Sequence, residues 1–418
     1  MGEVTAQGRL RVYVGAPGKT LFTQMPGGRL RVYPGDHAGE LEPDVVVIPC
    51  SQPSKFDADA VSLPEPVLKR LRDGAAGLVF DSSLEGQTHG AAWSEALHGL
   101  ADRLGAPLSR TVYVTQDRDY AGDYAAWCDA AGVRGRMSVL NYDYWIRRFF
   151  RRAAGDGERV FAERLEAFRL RRDQRPNRFL SLNWTPRPAK VLFLLRLMRD
   201  GLWDSGDISF GGFDLLQRHN NRSVLQFYKA MRRQAGFEDL TEELAPLLPA
   251  LDGLGRIALG EAAADAPDAP ARDMTGDEAL AAFQTSWFSV VTESEMLERA
   301  CRITEKPFKP LVNFHPIVVL GNPGSLEMVR AHGFQTFGGL FDESYDQEPD
   351  PRRRFELVYA EVAVLCRMDE ARLARLSAAL DERLVFNAQW GLTKLPGIFR
   401  DRVDREFLDA LTRAVRGA

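Results

Sequence analysis

Three residues in the last third of the chain have the types and spacing to hold a phosphorylated sugar. Glu305 and Lys306 are adjacent, and Glu293 precedes them by a short segment. A carboxylate accepts hydrogen bonds from sugar hydroxyls, whereas a lysine and the free N–H groups of a helix start bind a diphosphate. These residues could bind the two ends of a nucleotide-diphosphate sugar, with Gly321 allowing close backbone approach, although their spacing alone favours a simpler role. Alternatively, Thr304 only caps a helix that begins at Glu305.

Two carboxylates in the first half could act as a general base. Asp81 and Glu85 follow a predicted strand, at the edge of an open α/β sheet where ligands bind. A carboxylate there could take a proton from a hydroxyl within hydrogen-bond reach. The alternative is that Asp81 or Ser82 caps a helix. Arg187 precedes another predicted helix, and it could meet a phosphate or be an ordinary surface arginine.

The elements that must position these side chains alternate between strands and helices. In the first half, β-branched runs predict strands at 10–14, 45–48, 77–80, 111–114 and 137–140. Helical patterns at 65–72, 91–104 and 120–131 are long enough for right-handed crossovers between them. This alternation is typical of a parallel sheet covered on both faces. It indicates a Rossmann-like domain without a dinucleotide fingerprint.

A second α/β domain is predicted after a basic helical stretch that Pro176 ends. Its strands are predicted from 177 and at 208–210, 287–291 and 317–320, and its helices at 189–200, 223–234, 294–301, 308–313 and 326–332. Long helices follow at 353–368, 370–384 and 401–415, and residues 261–278 are predicted to be an exposed loop. The predicted boundaries are an N-terminal Rossmann-like domain (1–150), an interdomain helix or linker (151–176), a C-terminal Rossmann-like domain (177–345) and helices packing back on the sheets (346–418).

Composition restricts the class of protein. The chain has 418 residues, 45% of them apolar, which suits two cores. A net charge of −4 gives no general basic field for nucleic acid, and the four cysteines have neither zinc nor disulfide-framework spacing. No signal peptide or membrane-spanning apolar run is recognisable, so we expect a cytoplasmic protein. Tyr144 to Arg152 mixes aromatic and basic residues, which favours a helix with a buried aromatic face and solvated arginines but also allows peripheral contact with the inner face of a membrane.

Residues 15–20 look like the end of a phosphate-binding P-loop. The motif requires a glycine at the position of Tyr13, so we interpret the segment as a turn between two strands. Phosphoryl transfer involving Lys19 is the alternative.

The segments VVTESE and RITEKPFKPLVNFHPIVVLG resemble the donor-binding segment of bacterial glycosyltransferases related to the α1,3-fucosyltransferases. That family has a carboxylate-bearing segment, then Thr-Glu-Lys, a short apolar helix and a strand ending in Gly. The resemblance covers residues 286–337 and extends loosely to Asp346. Here Arg302-Ile303 replaces a usual Tyr-Val pair, and ESYDQEPDPRRR is inserted. The resemblance implies a GT-B architecture, in which two Rossmann-like domains face each other across a cleft.

A glycosyltransferase of hexosyl- or fucosyltransferase type is therefore implied, using a nucleotide-diphosphate sugar with a GDP-sugar favoured. Glu305 would hold the ribose and Lys306 the diphosphate. The implied donor-binding residues are Glu293, Arg302, Thr304, Glu305, Lys306 and Arg187. The reaction would be an inverting displacement at the anomeric carbon, with Glu85 or Asp81 as the base.

No Asp-x-Asp motif stands at a predicted strand end, so no metal and no cofactor are expected, and residues 342–346 are interpreted as a surface turn. The expected partners are the donor and a glycan, lipid-linked glycan or protein acceptor, in making a cell-surface polysaccharide, a lipopolysaccharide or a glycoprotein. The alternative function is a non-catalytic scaffold with degenerate Rossmann domains that binds nucleotide or membrane.

Overall fold

The structure is a computed structural model. It describes residues 9–15, 20–25, 29–33, 42–51, 55–153, 156–171, 175–213, 224–259, 277–296 and 300–417. These residues form two compact units. The first contains the described residues within 1–148, 300–302 and 397–418, and the second those within 149–299 and 303–396.

The α-helices within the described ranges vary from four to twenty residues in length. In chain order they are α1 (Glu65–Arg72), α2 (Ala91–Arg103), α3 (Tyr120–Ala130), α4 (Tyr144–Ala153), α5 (Gly157–Arg171), α6 (Pro188–Arg199), α7 (Val224–Arg232), α8 (Glu238–Leu244), α9 (Leu248–Gly253), α10 (Asp277–Thr285), α11 (Phe308–Leu311), α12 (Ser325–Ala331), α13 (Pro351–Arg367), α14 (Glu370–Gln389), α15 (Leu395–Ile398) and α16 (Asp404–Arg416). Five-residue π-helical turns, Trp390–Lys394 and Phe399–Val403, join the last three.

The first unit is built on a parallel six-stranded sheet. Its strands are β1 (Leu10–Val14), β2 (Leu30–Tyr33), β3 (Val45–Pro49), β4 (Gly77–Asp81), β5 (Thr111–Thr115) and β6 (Ser138–Asn141), in the spatial order β2-β1-β3-β4-β5-β6. The five predicted strands are confirmed, and β2 was missed. β2 repeats the LRVY of β1 and pairs with it residue for residue, from Leu10 with Leu30 to Tyr13 with Tyr33.

Both faces of this sheet are covered, as its near-continuous apolar strands require. Alternate residues such as Ile48 and Phe80 belong to a core with α1, α2 and α3. Their neighbours, such as Val79, pack with Leu411 and Val415 of α16 on the other face. α16 lies so close to β4 that a Cβ at position 77 would come within 2.4 Å of Val415 Cβ, which explains the glycine there.

The second unit contains a parallel four-stranded sheet. Its strands are β7 (Asn177–Asn183), β8 (Gly206–Phe210), β9 (Ser286–Thr292) and β10 (Ile317–Leu320), in the spatial order β10-β9-β7-β8. Every residue of β9 and β10 is buried. The apolar run at 191–195 of α6 is buried as well. Two parallel sheets with crossover helices confirm the predicted α/β class with two Rossmann-like domains.

Some predictions fail or lie outside the described residues. The helix predicted over 294–301 is wrong, because residues 294–296 and 300–301 are irregular. The P-loop-like residues 16–19, including Lys19, and residues 261–276 of the predicted loop are outside the described part of the chain. The domain boundaries inferred from the sequence stay predictions. Within the described residues, no helix is both long and apolar enough to cross a membrane.

Candidate functional site

Polar residues meet at the carboxyl edge of the second sheet. β7 ends at Asn183 and the neighbouring β9 at Thr292, whose hydroxyl donates a 2.6 Å hydrogen bond to the Asn183 side-chain oxygen. The Asn183 amide donates in turn to Ser181 Oγ at 2.9 Å. Glu293 follows β9 directly, and Gly321 follows β10, where a Cβ would lie 3.3 Å from Glu293 Cγ. Since parallel strands end at one edge, the sheet itself brings Glu293 to this position.

Glu293 organises the Thr-Glu-Lys segment. Its Oε1 accepts a hydrogen bond from the Thr304 backbone N–H at 3.0 Å, and its Oε2 accepts one from the Thr304 hydroxyl at 2.8 Å. Lys306 Nζ lies 2.8 Å from Thr304 Oγ1, 3.2 Å from Ser294 Oγ and 3.5 Å from Glu293 Oε2. Glu293 and Thr304 are buried, but the Lys306 side chain keeps 25% of its exposure. The ammonium is thus oriented by fixed oxygens, and part of the side chain is exposed to solvent.

Glu305 is held in its charged form beside this network. Its Oε1 lies 3.3 Å from Nζ of Lys309, the second residue of α11. Burial opposes ionisation of Glu305, but the positive charges of Lys306 and Lys309 outweigh it and lower the pKa of the carboxyl to about 2. At neutral pH Glu305 therefore offers ionised oxygens to hydroxyl donors. We refer to Glu293, Thr304, Glu305, Lys306 and Lys309 as the Glu293 cluster.

The start of α6 adds two basic side chains. Arg187 is the N-cap residue, makes no capping hydrogen bond through its side chain, and lies 3.8 Å from Glu295 across a loose ion pair. Lys190, in the first turn, is only 4% exposed. Burial and the charge of Lys306 lower the pKa of Lys190 to about 7, against the attraction of Glu293. Sequence reasoning missed Lys190, although a lysine within the apolar run PAKVLFLLRL is the signal that could have found it.

In the first unit, Asp81 accepts hydrogen bonds from the segment that follows β1. Its Oδ2 accepts hydrogen bonds from the Leu21 N–H at 2.8 Å and from the Thr20 hydroxyl, and its Oδ1 accepts one from the Ser83 N–H at 3.0 Å. The side chain is buried. The idea that Asp81 or Ser82 caps the next helix is wrong, because α2 begins only after Gly90. Both Asp81 oxygens are therefore engaged in holding backbone.

The structure brings Glu85 and Arg302 together in the first unit. Arg302 Nη1 donates a 3.1 Å hydrogen bond to the Glu85 carbonyl oxygen. The next residue is Gly86, where a Cβ would approach both Arg302 Cδ and Gln116 Cβ to 2.8 Å. The Glu85 side chain is half-buried. Arg302 was predicted from the sequence to bind the donor, and the structure groups it with the first unit, whereas Thr304 belongs to the second.

Asp117 is a second titratable residue that sequence reasoning missed. It follows β5, and its Oδ1 accepts hydrogen bonds from the N–H groups of Cys301 at 2.9 Å and Asp119 at 3.2 Å. Its Oδ2 is buried and has no hydrogen-bond partner among the described residues. Burial raises the pKa of Asp117 to about 6, although those two backbone hydrogen bonds oppose the shift. A carboxylate two positions past a strand end is the signal that could have found it.

The prediction that residues 342–346 form a surface turn is wrong for its last two members. Tyr345 and Asp346 are 2% and 3% exposed. Asp346 accepts hydrogen bonds from the N–H groups of Leu326 at 2.8 Å and Glu327 at 3.2 Å, at the start of α12. The Tyr345 hydroxyl accepts one from the Val319 N–H at 3.1 Å.

No group of three His, Cys, Asp or Glu side chains in the described part of the chain could hold a metal ion.

The aromatic face of α4 is buried, as its pattern favours. Tyr144, Ile146 and Phe150 are each at most 1% exposed. The expectation of solvated arginines is wrong at Arg147, which is buried and pairs with Asp404 at 2.7 Å. Contact of this helix with a membrane stays a prediction.

Taken together, these features define an α/β protein with two parallel sheets, each carrying titratable side chains at its carboxyl edge. No protein-family model and no curated protein matches the chain. Among solved structures, it is similar to the N-terminal domain of trehalose-6-phosphate phosphatase from Candida albicans, at 12% identity and a TM-score of 0.38, over 88% of this chain and 72% of that one. It is also similar to α,α-trehalose 6-phosphate synthase from Burkholderia multivorans, at 13% identity and a TM-score of 0.36, over 90% and 73%.

Proposed function

We propose that this chain is a glycosyltransferase whose donor is a nucleotide-diphosphate sugar, with a GDP-sugar favoured. The observation that carries the proposal is the Glu293 cluster, in which a buried carboxylate and a threonine orient a partly exposed lysine beside an ionised glutamate. The cluster stands at the carboxyl edge of a parallel sheet, where α/β proteins bind ligands. It supplies the two kinds of partner that such a donor needs.

The roles follow from the chemistry of the donor. Ribose hydroxyls are hydrogen-bond donors, so they suit Glu305, whose side chain is 19% exposed. The diphosphate is a polyanion and suits the Lys306 ammonium. Arg187 and the uncapped start of α6 add further positive charge and N–H donors on the same unit. Departure of the nucleoside diphosphate leaves negative charge that these cations stabilise.

Transfer also requires a base for the acceptor hydroxyl. Because both Asp81 oxygens already hold backbone and threonine groups, Glu85 is the better of the two predicted candidates. We propose an inverting displacement without a metal ion. The proposed acceptor is a glycan, lipid-linked glycan or protein of a bacterial cell surface, and the proposed location is the cytoplasm or the inner face of its membrane.

The first test is a thermal-shift panel with GDP, UDP, CMP and ADP. A ligand that binds only the folded state raises the melting temperature, so stabilisation by one nucleoside diphosphate supports the enzyme. The donor that corresponds to that nucleotide is then offered, and mass spectrometry detects its hydrolysis or transfer. Stabilisation by none of the four nucleotides contradicts the proposal and favours the scaffold function.

The second test locates the donor. Lys306→Ala and Glu305→Ala are expected to abolish transfer and to weaken binding of the nucleoside diphosphate in calorimetry while the fold stays intact. Lys229→Ala, an exposed lysine on α7, is the matched control. Affinity unchanged in both cluster variants would rule out this site as the donor site.

A further inference from the structure

Lys190 is a buried lysine that forms no salt bridge within the described part of the chain. The residue is 4% exposed, and its side chain makes neither a hydrogen bond nor an ion pair with the described residues. Transferring an ammonium group out of water is strongly unfavourable unless an acceptor or an opposite charge replaces the lost hydration. The protein thus holds an amine where a charged lysine has no acceptor of its own.

The charged groups around Lys190 explain why no protein carboxylate fills this role. Lys306 and Arg187 repel its positive charge, and Glu293 and Glu305 attract it. Both carboxylates are already engaged, Glu293 with Thr304 and Lys306 and Glu305 with Lys309. Lys190 also lies in the first turn of α6, a twelve-residue helix whose N-cap side chain makes no capping hydrogen bond. An anion is the ligand that satisfies the helix start and the amine together.

We propose that Lys190 takes up a proton when a phosphate anion binds at the start of α6, and that the resulting ammonium pairs with a phosphate oxygen. This inference rests on the proposed function, since the anion would be the diphosphate of the donor. On binding, the neutral Lys190 amine accepts a proton from the buffer, so one positive charge is gained with each ligand bound. The lowered pKa of Lys190, about 7, agrees with an amine that is largely neutral in mildly alkaline solution.

Binding and protonation are linked in both directions. A phosphate beside the amine favours its charged form and raises its pKa, so the affinity for the phosphate falls as the pH rises above the pKa of the free site. The second pKa of a terminal phosphate is about 6, so at about pH 8.5 the nucleoside diphosphate is already fully ionised. Proton uptake measured there reports on the protein.

The experiment is calorimetric titration of the whole chain with GDP, UDP and ADP at about pH 8.5, in two buffers that differ in ionisation enthalpy. The difference between the two heats gives the number of protons taken up. We expect uptake approaching one proton per diphosphate in the wild type. Lys190→Met should lose this uptake and bind about 10- to 100-fold more weakly, as expected for loss of a charged hydrogen bond.

Two further variants test whether Lys190 is the group that takes up the proton. Lys190→Arg keeps a charge at every pH, so it should bind a diphosphate without proton uptake. Lys229→Met, on the exposed face of α7, should match the wild type in both affinity and uptake. Removing a buried amine should not unfold the protein, and thermal melting of Lys190→Met checks this.

The outcomes separate this inference from the proposed function. Binding without proton uptake, or uptake that survives Lys190→Met, overturns the role of Lys190 and leaves the donor site in place. Absence of binding by all three diphosphates overturns both.

Discussion

The Thr304 hydroxyl donates a hydrogen bond to Glu293 Oε2 at 2.8 Å, and the oxygen of that hydroxyl lies 2.8 Å from Lys306 Nζ. One hydroxyl therefore links a buried carboxylate to a partly exposed ammonium. Glu293, which follows β9, and Thr304, in the segment before α11, together fix the position of the Lys306 ammonium. Its consequence is that the threonine hydroxyl, as well as the lysine, should control anion binding.

Replacing that hydroxyl should weaken nucleotide binding. Thr304→Val keeps the shape but removes the donor, leaving Glu293 short of a partner. We expect roughly 1–3 kcal/mol lower stability and weaker binding of GDP or UDP, because an unsatisfied buried acceptor is unfavourable. Calorimetry and urea unfolding measure the two effects. Thr304→Ser restores the hydroxyl and should recover both, and wild-type affinity in Thr304→Val would contradict the role of the hydroxyl.

Asp117 should make the protein less stable as the pH rises. Its pKa is about 6 in the folded state, above the ordinary value of 3.8, so the unfolded chain releases this proton first. The contribution of Asp117 to stability is therefore complete below about pH 4 and is lost as the pH rises through about 6. Asp117→Asn keeps Oδ1 for the Cys301 and Asp119 N–H groups and removes the charge.

We expect Asp117→Asn to be more stable than the wild type at pH 8 by about 1–2 kcal/mol and similar to it at pH 4. Urea unfolding at the two pH values measures the difference. Glu85→Gln, at a half-buried residue of the same unit, serves as a comparison that keeps Asp117 intact. Equal stability differences at both pH values would show that burial does not disfavour the charged form of the Asp117 carboxyl.

His315 should make the protein less stable as the pH falls, in contrast to Asp117. It is buried, its Nε2 lies 2.6 Å from the Ser286 carbonyl, and its Nδ1 lies 2.7 Å from Ser289 Oγ. A carbonyl only accepts, so Nε2 carries the hydrogen and Nδ1 accepts from the serine. Burial, followed by the charge of Arg175, lowers the pKa of His315 to about 3.

For a histidine with a lowered pKa, the unfolded chain binds the proton first. The stability due to neutral His315 is therefore complete above about pH 6.5 and is lost as the pH falls toward about 3. Nitrogen-detected NMR at about pH 5 should still show the neutral ring with hydrogen on Nε2. His315→Phe should flatten the pH dependence of unfolding between those values. A positively charged ring at pH 5 would contradict the assignment.

Asp346 should stabilise α12 from a distance in sequence. Its two oxygens accept hydrogen bonds from the Leu326 and Glu327 N–H groups, so it caps the helix in place of a local residue. Asp346→Ala should lower the free energy of unfolding by about 1–2 kcal/mol. Asp346→Asn keeps one acceptor and should lose less. Exposed Asp342, in the same segment, is the control, since Asp342→Ala removes a carboxylate that caps nothing in α12.

Local sequence patterns were sufficient to predict most strands and the segment that holds the Glu293 cluster. Buried parallel strands must be apolar along their whole length, so GLVF and IVVL can be recognised without their partners. Thr304, Glu305 and Lys306 are consecutive, and Glu293 follows a recognisable strand, so these candidates could be named from the sequence, whereas the hydrogen bonds that join Glu293 to Thr304 are tertiary contacts. β2 was not predicted because it is an edge strand in which only Leu30 is buried, so it lacks the continuous apolar run that makes the equally short IVVL recognisable.

What each polar side chain touches follows from the tertiary structure alone. The hydrogen bonds between Asp81 and the Thr20–Leu21 turn, between Asp117 and Cys301, and between Asp346 and α12 join residues that are distant in the chain, and no periodicity encodes them. In the sequence, Lys190 is one polar residue in an apolar helix. The folded structure alone shows that it is buried near the charge of Lys306. A side chain's charge and pKa depend on burial and on neighbouring charges, which are properties of the folded chain.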